Sequence, residues 1–207
     1  MEQAVDRVES RAVGEQDELL WARSVAGDGE AFGLLFDRHR ERVWRHACRF
    51  APTRQDAEDL VAAVFLELWR LRHRVLLVGG SVLPWLLTVT TNLGLNAARA
   101  RRRYRSLLDR LPRADDEKDA AVVALEARGL GFDGHLRDEL RALTLKDAQL
   151  LALVALEGYS VLDAAECLQL SEPAARARLH RVRTRLQKRL RGTDVAPRGP
   201  FSQEEVR

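Results

Sequence analysis

From Glu172 to Arg191 the apolar residues Ala175, Leu179, Val182, Leu186 and Leu190 recur at intervals of four, three, four and four, and the same twenty positions hold eight basic side chains against one acid. A strand would scatter those apolar residues over both faces, whereas a helix gathers them into one stripe. The stripe must be buried, which leaves the rest of the cylinder as a positive surface. A second segment divides in the same way. In WLLTVTTNLGLNAARARRRYR, residues 85–105, Leu86, Val89, Leu93 and Ala97 make a core stripe, and Thr88, Asn92, Asn96 and Arg99 make the adjacent polar face. Five of the seven positions from Arg99 to Arg105 are then arginine.

The formal net charge of +3 conceals this segregation: residues 99–113 carry +6 and residues 172–191 carry +7, so the remainder is acidic. A solvated helix face mixes its signs, and two nearly acid-free arginine blocks point instead to a polyanion, with nucleic acid the leading candidate. The other bulk properties fit a helical globular protein. With 207 residues, 46% hydrophobic and 31% charged, the chain has material for two small cores. No run approaches the roughly 18 apolar residues that a bilayer demands, and acids stand where a signal peptide has its apolar centre. A cytoplasmic protein without membrane insertion is expected.

Enzymatic chemistry finds little support. The histidines at 39, 46, 73, 135 and 180 form no helical metal-ligand pair with a carboxylate, and there is no phosphate-binding glycine loop. His39, His46 and Cys48 come nearest to a zinc cluster and read as surface or half-buried helix residues. Cys48 and Cys167 lie far apart in apolar surroundings and read as small buried hydrophobes. No metal, cofactor or catalytic residue is expected.

Two helices flank Gly27 and Gly29, and Thr53 with Asp56 opens another, DAEDLVAAVFLELWRLRHR, with Leu60, Val64, Leu68 and Leu71 on one side. VLLVGGSVLP is a loop, after which Ser81 caps and Pro84 starts the helix containing Trp85. Residues 106–135, with Pro112, an acidic cluster and three glycines, form a linker. Three further helical patterns follow: LRDELRAL with DAQLLALVALEG, then SVLDAAECL, then EPAARARLHRVRTRLQKRL. Gln169 and Leu170 turn the second into the third, which Ser171 caps, with Pro173 in its first turn. Short helix, tight turn and longer helix make a helix-turn-helix. Its last helix would offer Ser171, Arg176, Ala177, Arg178, His180 and Arg181 to a major groove, and Arg183, Arg185, Lys188 and Arg189 to the phosphate backbone.

DAEDLVAAVFLELWR, PWLLTVTTNLGLNAARARRR and LSEPAARARLHRVRTRL, in that order, resemble three segments of the extracytoplasmic-function (ECF) sigma factors of bacterial RNA polymerase, members of the sigma-70 family. The resemblance implies an all-α chain of two small domains: a flexible N-terminus at 1–14, region 2 at 15–105, the linker at 106–135, the region 4 helix-turn-helix at 136–191 and a flexible tail at 192–207. It implies that Asp56, Glu58, Asp59 and Glu67 meet core RNA polymerase. Thr88, Asn92, Asn96, Arg99, Arg102 and Arg103 would meet the −10 element, and the recognition-helix residues the −35 element of promoter DNA. An anti-sigma factor is a further implied partner. Residues 76–81 would correspond to the loop that captures a flipped −10 base, and the linker acids Asp115, Asp116, Glu117 and Asp119 to a nucleic-acid mimic inside the polymerase.

Two departures from the family pattern stand out. Ala62 and Ala63 occupy positions where a glutamine and an acid are usual, which implies weaker or rearranged core binding. Pro173, Ala174 and Ala175 replace the usual Gly, Thr and Val, which removes a hydroxyl from the DNA-facing end. Two other readings use the same residues: a helix-turn-helix regulator that acts without polymerase, and a degenerate sigma-like adaptor that binds only proteins.

Overall fold

The computed structural model describes residues 17–108 and 142–192. The N-terminus 1–14, nearly all of the linker with its four acids, His135, most of LRDELRAL and the tail beyond residue 192 lie outside the described residues. Among those described the fold is all-α, with no β-strand.

The first helix, α1, is described over residues 17–25 and stops where Gly27 takes a φ of +98°, a left-handed shape that glycine adopts without strain. Asp28 then caps α2 (Gly29–Ala47), its carboxylate accepting from the amides of Glu30 and Ala31 at 3.0 and 3.1 Å. Gly29 therefore starts a helix instead of breaking one. Thr53 caps α3 (Arg54–Leu71) as expected: its Oγ1 accepts from the Asp56 amide at 3.0 Å and donates to the Asp56 carboxylate at 2.6 Å. The third long helix, α4, spans Leu83–Leu108.

Helices α2, α3 and α4 each pack on the other two. Their shared core holds Leu35, Val43, Ala47, Ala57, Val61, Val64, Leu68, Leu86 and Leu87. Phe32 meets Trp69 edge-on at 5.0 Å and Phe36 meets Phe65 at 4.7 Å, extending the core to one side. The expected stripe of α4 is rotated. Leu86 is buried, but Val89 and Leu93 are half-buried and Ala97 is exposed, while Leu83, Leu87, Thr90, Thr91 and Gly94 face inward. Thr90 and Thr91 tolerate burial because their hydroxyls donate to the carbonyls of Leu86 and Leu87 at 2.7 and 3.0 Å.

In the second unit Thr144 caps α5 (Leu145–Leu151), which runs into a π-helical turn, Ala152–Leu156. Gly158, at φ +76°, ends it. Ser160 caps α6 (Val161–Cys167), and α7 follows over Glu172–Gly192. Gln169 takes a φ of +53° in the turn between α6 and α7, and the Lys146 ammonium donates to the Leu168 carbonyl at 2.6 Å, tying α5 to that turn. Leu150, Leu153, Ala164, Ala165, Leu168, Ala175 and Leu179 fill the centre of this unit and are continuous with the core of the first.

Candidate nucleic-acid and polymerase interface

The stripe of α7 is where the sequence places it: Ala175, Leu179 and Val182 are buried and Leu186 is half-buried, against α5 and α6. Ser171 accepts from the Ala174 amide at 3.4 Å, a long N-terminal cap. Arg176, Ala177, His180 and Arg181 then stand exposed around the first two turns. Arg176 is held by Glu172 one turn back, a surface pair that an incoming phosphate or base edge can replace at small cost. Arg178 differs from these: its guanidinium turns toward α5 and donates to Asp147 at 2.9 Å. Burial raises the Asp147 carboxyl, yet hydrogen bonds from Thr144 and Arg178 outweigh it and hold the group below its ordinary value.

Along α4 the expected polar face grades from covered to open. Thr88 and Asn92 are half-buried, whereas Asn96, Arg99, Arg102 and Arg103 are exposed. The Asn96 side-chain amide donates to the Asn92 carbonyl oxygen at 3.2 Å, and Arg99 donates to Asn96 at 3.4 Å, so three of these residues form a ladder. Arg101, in the middle of the arginine run, points the other way and donates to the Phe50 carbonyl at 3.0 Å, closing the end of α2. The run therefore combines a structural arginine with exposed ones. Val78 and Ser81 pair across Gly79 and Gly80 to shape the loop before α4, with Trp85 packed behind it.

On α3 the charged residues pair locally: Glu58 accepts from Arg54, Asp59 from Gln55, and Glu67 from Arg70. These are exposed helix pairs and leave the carboxylates available to another protein. The turns between them display Ala62, Ala63 and Leu66, the last 68% exposed, so the outward face of α3 is an apolar strip bordered by carboxylates.

Residues 35–104 match the family model described as Sigma-70 region 2, and residues 134–186 the one described as Sigma-70, region 4. The RNA polymerase sigma factor CarQ of Myxococcus xanthus is 32% identical over 155 residues, covering 75% of this chain and 86% of that protein. This chain belongs to the ECF sigma factors of the sigma-70 family. The RNA polymerase sigma factor NccH of Alcaligenes xylosoxydans xylosoxydans is 30% identical over 188 residues, covering 86% of this chain and 97% of its own. Among solved structures, CnrH in complex with the cytosolic domain of CnrY matches with a TM-score of 0.53 and 25% identity, covering 86% of this chain and 99% of that one. Among the described residues of this sigma factor, no helix is long and apolar enough to cross a membrane.

Two histidines of the sigma factor correct the sequence reading. His39 and His46 are buried, and each is paired with a carboxylate remote in sequence. His39 Nε2 lies 2.7 Å from Asp17, which also accepts from Arg38 at 2.7 Å and from the Ser81 hydroxyl at 2.6 Å. Burial raises the Asp17 carboxyl, but these partners outweigh it and hold it low. The cluster fastens α1 to α2 and to the loop before α4. His46 Nδ1 lies 2.8 Å from Glu157 in the second unit, and its Nε2 lies 2.9 Å from the Thr91 hydroxyl. Arg49 joins the same carboxylate, and Arg42 donates to both its side chain and its backbone carbonyl at 3.1 Å. Burial raises the Glu157 carboxyl, but the hydrogen bonds from His46 and Arg49 and the further cations hold it down at about 2. The spacing of Arg42 and His46 on one face of α2, with Arg49 in the turn just beyond its end, was the available signal. Nothing local indicates that Glu157 is their partner.

Proposed function

We propose that this sigma factor binds core RNA polymerase through the outer face of α3 and directs it to a two-part promoter. The α4 face from Thr88 to Arg103 would meet the −10 element and assist melting, and α7 the −35 element. The observation that carries this reading is the pairing of two exposed arginine faces, on separate units, with an apolar and acidic face on α3. Apolar stripes fix the helices, and the arginines they leave outside supply attraction to phosphate without fixing sequence.

On α7, Arg176 and Arg181 are best placed for bidentate contact with base edges; Arg178, held by Asp147, would brace the helix. Ala62, Ala63 and Leu66 would make the contact with polymerase more apolar, with Asp56, Glu58, Asp59 and Glu67 bordering it. The chain would act without covalent chemistry of its own, catalysis belonging to the polymerase. Because CnrH is solved with the cytosolic domain of another protein, CnrY, we extend to this chain an anti-sigma factor as a controlling partner.

The test is transcription in vitro by purified bacterial core polymerase on a pool of random promoters, with and without the protein. Protein-dependent transcripts sharing two upstream elements are expected. No such transcripts from active core would overturn the reading in favour of a regulator or adaptor. Removing Arg99, Arg102 and Arg103 together should flatten the log–log salt dependence of promoter binding by about one unit for each arginine that holds a phosphate. Arg181→Ala should instead cost roughly 1 to 3 kcal/mol at one position of the −35 element.

A further inference from the structure

The two units do not stand apart. The second packs α5, the π-helical turn and α6 against α4, and one continuous apolar core joins them. The part of α4 against which it packs includes Thr88, whose Oγ1 lies 3.4 Å from Cys167 Sγ of α6, and Asn92 one turn further on is half-buried. Beyond Asn92 the face emerges into the open. Polar side chains at a helix surface that are partly withdrawn from solvent by a neighbouring unit cannot meet DNA at the same time.

The same interface has a polar lock at its edge. The π-helical turn widens the end of α5, so that the Glu157 amide reaches back to the Ala152 carbonyl at 3.1 Å and the Glu157 side chain projects onto α2. There its carboxylate, 7% exposed, is engaged by His46, which has no exposed side-chain surface, and by Arg42 and Arg49, which do. These are the ion pairs between the two units among the described residues. Arg42 also donates to the Glu157 backbone carbonyl, so the clamp reads position as well as charge.

We propose that the chain rests in a closed conformation in which its second unit covers the Thr88–Asn92 part of α4, and that Glu157, clamped by Arg42, His46 and Arg49, is the latch. This rests on the assignment of α4 to the −10 element. A desolvated ion cluster fixes geometry while adding little net stability over an apolar contact of the same size. The closed state is therefore specific in structure yet within reach of opening by a ligand that binds the open form better. Arg99, Arg102, Arg103, Arg176 and Arg181 remain exposed in the closed state. Promoter phosphates can thus be attracted before the latch opens, while engagement of Thr88 and Asn92 waits for it.

The closeness of Thr88 to Cys167 supplies the test. In a Cys48→Ala background, Thr88→Cys places a second thiol against Cys167, and diamide oxidises the pair to an intramolecular disulfide as it is reduced to the hydrazine. The expected result is rapid crosslinking at a rate independent of protein concentration. Adding Glu157→Gln, or separately Arg42→Ala, should slow it about tenfold. The crosslinked protein should support at least tenfold less transcription with core polymerase than the same protein after reduction. Crosslinking at equal rates with and without Glu157 would overturn the latch. Equal transcription by the crosslinked and reduced forms would overturn closure as a block. If the unsubstituted protein, with Thr88 and Cys48 in place, also failed to drive transcription, the sigma reading would fall, and the effect of Glu157→Gln on crosslinking would still decide the latch.

Discussion

At the residue scale the positions with least freedom are those where two helices touch through a missing or a charged side chain. Gly94 lies where α4 crosses the end of α2, and a Cβ placed there would sit 2.5 Å from Phe50 Cβ and 2.7 Å from its Cγ. Alanine is the better helix former by up to about 1 kcal/mol, but overpacking against an atom so near the Phe50 backbone costs more. Gly94→Ala should lower stability by about 1 to 3 kcal/mol in urea unfolding; a raised midpoint would mean that Phe50 gives way. Asp17 is the charged counterpart. Asp17→Asn leaves the Arg38 and His39 side chains facing a neutral amide, and a loss of about 3 kcal/mol is expected. The low carboxyl pKa values of Asp17 and Glu157 fix the sign of the acid response. Both groups ionise more readily folded than unfolded, so their stabilisation is complete above the ordinary carboxylate range and is lost as pH falls through the folded values, for Glu157 toward about 2. Glu157→Gln should therefore reduce the steepness of acid unfolding between about pH 4.5 and 2, the interval bounded by its ordinary and folded pKa.

At the element scale one device recurs. Thr53 with Asp56, Thr144 with Asp147 and Ser160 with Asp163 each join an N-cap hydroxyl to the amide and carboxylate three residues on. Ser160→Ala should cost about 1 kcal/mol and speed amide exchange through Val161–Cys167 while leaving α3 unchanged. Such local signals explain what was legible in the sequence. Helix starts follow from caps, the stripe of α7 from its spacing, and the exposed arginines from the absence of acids to pair them. The phase of α4 was not legible, because a threonine that bonds its own helix counts as polar in any periodic reading yet buries without penalty. Arg101 and Arg178 could not be told from their neighbours for a related reason: the acceptors that hold them, the Phe50 carbonyl and Asp147, belong to other parts of the chain. The histidines misled in the same way, since His46 finds its carboxylate 111 residues away.

At the scale of the whole molecule, the question is whether two units make one cooperative structure. Leu86 and Leu87 of α4 share a core with Leu150, Leu153 and Ala164, so separating the units exposes apolar surface as well as breaking the Glu157 clamp. While both contributions stand, neither unit should melt without the other, and calorimetry of the full chain should give a single transition whose calorimetric and van't Hoff enthalpies agree. Glu157→Lys turns the clamp into a repulsion, an ammonium against the guanidinium groups of Arg42 and Arg49, and takes the carboxylate from buried His46 while leaving the shared leucines in place. The transition should then split. The second unit should melt first, because the smaller body has less apolar surface to bury per residue. A transition that stays single but moves to lower temperature would assign the coupling to the shared leucines, leaving Glu157 to set only how the two units are aligned.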